Sequence, residues 1–323
     1  MRSVDDAASP SSGTAPVAAI VVTFNPKLEA FAEVIAAVRE QVSRVVIVDN
    51  GSVPETAREL RSLADASVCE FVGLAENLGI ATAQNRGIEV VLRDVCSLGD
   101  AARHYVLFLD HDSIAERDMV AQLLEVDRQA RARGVAVGAV GPLIVDRRTG
   151  TSGRVITEGH CTLRRVACPD DAREIEAGFL ISSGTLVRTD TLQQIGGMRD
   201  GLFIDHVDTE WCLRARAQQW RMFVACRARL VHSLGDEVVA VWMGRRREVF
   251  VHSPLRDYYM CRNTILLLRT TRMSFAWRIF LILRLIASIS FFGLCVPPRV
   301  ARLRRMASGM VHGWLEREGK APP

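Results

Sequence analysis

Tyr105-Val106-Leu107-Phe108-Leu109-Asp110-His111-Asp112-Ser113 is the stretch whose reading decides the fold. Residues 105–109 are continuously apolar, as a strand covered on both faces must be, and the polar quartet that follows stops the strand in a turn. The same pattern stands on either side. Residues 17–24 are a β-branched apolar run ending in Asn25-Pro26, and 44–48 are a second run ending in Asp49-Asn50-Gly51-Ser52. Residues 68–74 are a third strand and 135–145 a later one. Between them, 28–42, 80–93 and 119–133 carry apolar residues at helical spacing, and Pro54 opens a further helix as a first-turn proline. Strands alternating with helices predict an α/β fold whose central sheet is mostly parallel and flanked by helices. In such a sheet the polar residues just past the carboxyl ends of the strands line the ligand crevice. Here those residues are Thr23, Asn25, Asp49, Asn50, Asp110 and Asp112.

Composition permits a large core: 323 residues, 49% hydrophobic, which excludes a disordered chain. The net charge of +4 conceals an asymmetry, because residues 258–315 contain nine arginines and no acid, leaving the remainder net acidic. Within that stretch, 275–296 is nearly continuous apolar sequence broken by Arg278 and Arg284. Two mid-segment arginines make a membrane span costly. A helix in the membrane interface and a helical hairpin packed on the domain, ending at Pro297-Pro298, both fit. The expected organisation is a leader over 1–16 without signal-peptide character, an α/β domain over 17–256, and a basic, apolar helical segment over 257–323. An anionic membrane surface, rather than a nucleic acid, is the expected macroscopic partner. The eight cysteines form no C-x-x-C pair, so neither a zinc site nor a disulfide framework is expected, and the compartment reads as reducing.

Three groups of residues carry chemistry. Asp110 and Asp112, one residue apart after a strand, can share one hard cation such as Mg²⁺ or Mn²⁺; a bare D-x-D is also a common solvated turn. Asn77, Gly79, Asn85 and Gly87 bracket a helix start, where Asn and Gly either expose N–H groups to a phosphate or make ordinary caps. Asp205, Asp208 and Glu210 precede an amphipathic stretch. On a helix Asp205 and Asp208 share a face, and a carboxylate there serves either as a general base or as compensation for the helix dipole. His232, ending an apolar strand, is either a structural histidine or a further metal ligand.

Together these motifs resemble glycosyltransferase family 2, with its GT-A nucleotide-sugar-binding fold, over roughly residues 17–269. The most specific match is Phe203-Ile204-Asp205-His206-Val207-Asp208-Thr209-Glu210-Trp211. Residues 179–184 resemble an acceptor-side strand, and Arg256-Asp257-Tyr258-Tyr259 a signature of the rhamnosyltransferase subgroup. The resemblance implies an inverting transferase with Asp208 as the base and a metal at Asp110, Asp112 and His232. It implies donor contacts at Thr23, Asn25, Asp49, Asn77, Gly79, Gln84, Asn85 and Asp110. The implied donor is dTDP-L-rhamnose and the implied acceptor a lipid-linked or other saccharide. The implied place is cytoplasmic, peripheral on the inner membrane. A related enzyme using another nucleotide sugar, and a non-catalytic nucleotide-sugar-binding protein, are the rival readings. Two positions depart from the pattern: Gln84 stands where many members carry Arg, and His111 where rhamnosyltransferases carry Gln.

Overall fold

A computed structural model describes residues 15–98, 103–147, 149–159, 162–232, 237–242 and 246–322. Apart from residues 15 and 16, the expected leader lies outside them. The first half runs β1 (Val17–Thr23), α1 (Leu28–Arg39), β2 (Arg44–Asp49), α2 (Pro54–Ala66), β3 (Glu70–Gly73), α3 (Ile80–Leu98), β4 (Tyr105–Asp110), β5 (Ser113–Ala115), α4 (Met119–Ala132) and β6 (Val137–Asp146). Then follow β7 (Val155–Glu158), β8 (Leu163–Val166), β9 (Glu174–Ala177), β10 (Leu186–Arg188), α5 (Thr189–Ile195), α6 (Val207–Ala217) and β11 (Arg221–His232). The chain continues through the hairpin of β12 (Glu237–Trp242) and β13 (Arg246–Val251) to α7 (Pro254–Thr270), α8 (Phe275–Cys295) and α9 (Arg299–Trp314).

The main sheet runs β3-β2-β1-β4-β10-β6-β11-β5, with β9 also on β11. Strands β3, β2, β1 and β4 are mutually parallel, and β11 is parallel to β6. The second half is mixed, since β10, β5 and β9 pair antiparallel. Continuous apolar strands alternate their side chains between two cores. Ile20, Val22, Val46, Val48 and Phe108 face α3 and α6, while Ala19, Val21, Ile47, Leu107 and Leu109 face α1, α2 and α4. That two-sided burial is why no polar residue interrupts these strands.

Several sequence expectations change. Residues 179–184, which resemble an acceptor-side strand, do not form one. Only Leu186–Arg188 pairs as β10, because the chain turns at Gly184 (φ +82°), where a Cβ would strike Pro142. The polar stretch that follows β6 holds the β7–β8 hairpin and leads into β9. Cys168 and Cys226 form a disulfide, against the expectation of none; folding brings together cysteines 58 residues apart, which spacing could not show.

The boundary drawn at 256 does not mark a loss of contact. Arg262 and Asn263 of α7 are buried, and they donate to the carbonyls of Gly201, Leu202, Ile204 and Asp205. This matters locally because Phe203, Asp205 and His206 all have φ near +60°, a conformation costly for non-glycine residues unless the surroundings enforce it. Helix α9 packs on α7 through the buried Arg302–Asp257 ion pair, and Gly309 and Gly313 let the two backbones approach.

Candidate active site

The site lies at the carboxyl ends of β1, β2 and β4. Asp110 closes β4 and Asp112 follows in the turn to β5. The antiparallel register of β11 with β5 sets His232 opposite Ser113. One ligand atom from each of Asp110, Asp112 and His232 lies within 4.8 Å of the others. Two carboxylates and an imidazole are a donor set suited to a hard or borderline divalent cation. The cluster is fixed from behind. The Asp110 amide donates to Ser183 Oγ at 3.1 Å, Ser183 Oγ donates to Ser113 Oγ at 2.7 Å, and Ser113 Oγ lies 2.7 Å from His232 Nδ1. Nδ1 is also the ring nitrogen nearest Asp112, 3.4 Å from its Oδ1, so Ser113 and Asp112 meet the same edge of the imidazole. Neither serine was singled out in the sequence, where isolated hydroxyls carry no signal.

The cluster is electrostatically coupled. Burial pushes the Asp110 carboxyl up, and the Asp112 charge adds to this while His232 opposes it. At Asp112 burial acts upward too, but the hydrogen bond and charge of His232 outweigh it and hold the carboxyl below its ordinary value. Burial would lower His232, yet Asp112 and Asp110 raise it. The two acids that raise the proton affinity of the imidazole form, with it, a donor set of the kind that binds divalent cations.

The three acids near α6 have different fates. Asp205 is not on the helix, contrary to the shared-face expectation: it sits before it at φ +63° and pairs with Arg256 at 2.8 Å. Glu210 is buried and paired with Arg214 at 3.0 Å. Asp208, in the first turn of α6, has no cationic partner among the described residues and accepts from the Thr209 amide at 2.7 Å. Its side chain is half-buried. Burial, with the charges of Asp110 and Asp205 and against the Thr209 amide, raises its carboxyl to about 6. An unpaired carboxylate with that affinity for a proton is suited to general-base work near neutral pH.

The residues expected to contact the donor gather at the ends of β1–β3. Asp49 is buried and accepts from the Ser52 amide and hydroxyl. Asn25 accepts from the Val53 amide at 2.9 Å, and its own amide donates to Ser52 Oγ. Asn77 Oδ1 receives the Gly79 amide and the Asn50 side chain. Gly79 (φ +88°) passes so close to Phe203 that any Cβ would lie 2.5 Å from its carbonyl. Thr23 Oγ1 and Gln84 Oε1 are buried oxygens without a hydrogen-bond partner among the described residues, as are Glu174 Oε2 and Thr271 Oγ1 away from the site. Asn85 stands apart: its amide is engaged by Met198 and Asp200, bracing the loop before α6.

The sequence profile of glycosyl transferase family 2 matches residues 18–194. The chain is 31% identical over 253 residues to a dTDP-rhamnosyl transferase, RfbF, of Shigella flexneri, covering 78% of this chain and 79% of that one. It is 23% identical over 184 residues to a poly-beta-1,6-N-acetyl-D-glucosamine synthase of Staphylococcus aureus strain COL, 56% of this chain and 41% of the relative. Among solved structures, S. aureus TarS residues 1–349 superpose with a TM-score of 0.53 at 15% identity, covering 94% of this chain and 82% of that one. GalNAc-T7 with UDP, GalNAc and Mn²⁺ gives 0.53 at 13% identity, covering 90% of this chain and 61% of the other. At those identities the superpositions establish a shared fold, in agreement with the expected α/β architecture. Profile and sequence identity together establish that the chain belongs to glycosyl transferase family 2 and is a nucleotide-sugar-dependent glycosyltransferase.

Proposed function

We propose that the protein transfers L-rhamnose from dTDP-L-rhamnose to a hydroxyl of a lipid-linked or other saccharide acceptor, with inversion at the anomeric carbon. The observation that carries the mechanism is the isolation of Asp208: its neighbours Asp205 and Glu210 are neutralised by arginines, and it is not. The acceptor hydroxyl gives its proton to Asp208. Its oxygen bonds to the anomeric carbon as the bond to the diphosphate breaks, and that electron pair leaves with dTDP. When bound by Asp110, Asp112 and His232, Mg²⁺ or Mn²⁺ supplies positive charge to the leaving diphosphate. The choice of sugar rests on the likeness to RfbF. The donor is held by Thr23, Asn25, Asp49, Asn77, Gly79 and Gln84. Asn85 takes part by fixing the neighbouring loop.

The protein works at the cytoplasmic face of a membrane, lying on its surface. Supporting this, α8 is long and apolar enough to cross a membrane, and its Leu283, Ile286 and Leu294 are exposed. Arg299 and Arg304 on the following helix α9 are exposed as well.

The test is thermal stabilisation of the purified protein by a set of nucleotide sugars in Mn²⁺. A bound donor raises Tm by mass action. dTDP-L-rhamnose is expected to give the largest rise; a larger rise with UDP-N-acetylglucosamine would reassign the donor.

A further inference from the structure

The chain leaves α9 at Trp314 and turns back, with Glu316 at φ +54° and Gly319 at φ +84°, to lie against two loops of the candidate site. One loop is residues 76–79, which precede α3 and include Asn77 and Gly79. The other is residues 199–206, which lead into α6 and Asp208. Residues 318–321 bind both. Glu318 pairs with Arg199, and the Gly319 amide donates to the Gly201 carbonyl at 2.7 Å. Lys320 Nζ lies 2.9 Å from Glu76 Oε2, and the Ala321 amide donates to Tyr259 Oη at 2.8 Å. From α7, the buried Arg262 guanidinium joins the layers, donating to the carbonyls of Gly319, Gly201 and Leu202. One cavity is walled by all three segments, through Asn77, Thr82, Phe203, Glu318 and Gly319 among others.

The two loops also meet directly. Gly79 lies against the backbone of Phe203, and the Phe203 ring stacks on Tyr259 with centroids 5.0 Å apart. Tyr259 is the residue whose hydroxyl receives the Ala321 amide. A closed circuit therefore runs from Lys320 through the Glu76–Gly79 turn, Phe203 and Tyr259 back to Ala321. Neither loop lies in the sheet, and Phe203, Asp205 and His206 hold positive φ values that need outside support. Residues 318 and 320 are exposed and 319 and 321 only half-buried, so this segment adds little to either core. What its contacts fix is the spacing of the two loops.

We propose that residues 318–321 are a positioning strap for the transfer reaction, anchored at Gly319, which sets the distance between the donor-binding turn at Asn77–Gly79 and the loop that carries the chain into Asp208. This rests on the readings of Asn77 and Gly79 as donor contacts and of Asp208 as the base. A displacement of about 1 Å in the groups that hold reactants costs up to about 10²-fold in rate. Surface contacts that add little to stability therefore have a large effect on turnover when they set such a distance.

The experiment compares the full chain with its Gly319→Pro and Tyr259→Phe variants. Proline lacks the amide that meets Gly201 and cannot take a positive φ, while phenylalanine keeps the ring on Phe203 and loses the hydroxyl. Four quantities are read: hydrogen exchange of residues 76–79 and 199–206, dTDP affinity in Mn²⁺, hydrolysis of saturating dTDP-L-rhamnose with water as acceptor, and Tm. Gly319→Pro should speed exchange in both loops and leave β1 and β4 unchanged. It should weaken dTDP binding about tenfold and slow hydrolysis about 10–100-fold. Tm should move by no more than about 4 °C, because the strap lies on the surface. Tyr259→Phe should act in the same direction by about two- to tenfold, the worth of one hydrogen bond. Lys320→Ala should speed exchange at 76–79 alone. Unchanged exchange in Gly319→Pro would overturn the strap. Faster exchange with parent-like dTDP affinity and hydrolysis in both variants would overturn its role in positioning. A parent that binds dTDP and does not hydrolyse dTDP-L-rhamnose would sink the sugar assignment instead, and exchange and dTDP affinity would still decide on the strap.

Discussion

His232, the last residue of β11, faces Ser113, the first residue of β5, with its Nδ1 2.7 Å from the serine hydroxyl. That contact, backed by the Ser183 hydroxyl, fixes the orientation of the imidazole beside Asp112. Groups that orient a metal-binding histidine in this way typically contribute about 10–100-fold in affinity. Ser113→Ala is therefore expected to weaken Mn²⁺ binding by about that factor, and Asp112→Ala by more, as followed by calorimetry. Parent-like Mn²⁺ affinity in both variants would leave Asp110, Asp112 and His232 as turn residues.

The pH profile follows from Asp208. A base must be unprotonated to act, and this carboxyl is raised to about 6. Single-turnover transfer should be level above neutrality and fall about tenfold per pH unit below about 6. A rate that stays level down to pH ~4.5, where a carboxyl of ordinary affinity would still be charged, would mean that Asp208 is not the titrating base.

The Arg302–Asp257 pair joins α9 to α7 and is buried on both sides, at 3% and 9% side-chain exposure. Removing one partner of a buried pair strands the other charge and costs about 3–5 kcal/mol. Arg302→Ala should destabilise the fold by that order in denaturant unfolding. Arg269→Ala, which breaks the more exposed pair with Glu316, should cost no more than about 1 kcal/mol. Equal effects would mean that α9 is not anchored through Arg302.

The distribution of basic residues gives a vesicle prediction. Of the nine arginines in 258–315, Arg262 and Arg302 are buried and spent internally, while Arg272, Arg299 and Arg304 are exposed. Flotation with anionic vesicles should fall as salt rises and fall further in Arg299→Ala/Arg304→Ala. Equal flotation with neutral vesicles at all salt concentrations would remove the electrostatic part of membrane contact.

The strands that place the site were legible because β1, β2 and β4 are apolar on both faces, and the acids after them could only lie at the sheet's carboxyl edge. The fate of each acid was not legible. Arg256 is 51 residues from Asp205, Ser183 is 70 from Ser113, and His232 is 119 from Ser113, so those contacts exist only once the sheet is assembled. The mixed half of the sheet was hidden for a related reason. Strand β10 is three residues long, and its direction is set by the turn at Gly184 and not by a pattern of its own. Asn85 shows the opposite limit: its place in a motif suggested ligand contact, and the fold gives its amide to Met198 and Asp200.

Asp208→Asn tests the central claim most directly. The amide keeps the shape but cannot take the acceptor's proton. The measurement is single-turnover rhamnosyl transfer by Asp208→Asn beside Asp205→Asn and Glu210→Gln, with dTDP affinity and Tm followed on each. The account predicts a fall of about 10²–10⁴-fold for Asp208→Asn alone. Its dTDP affinity should stay within about twofold and its Tm should not fall, because its surroundings disfavour the charge being removed. Transfer by Asp208→Asn at the parent rate, or a loss confined to dTDP affinity, would contradict it.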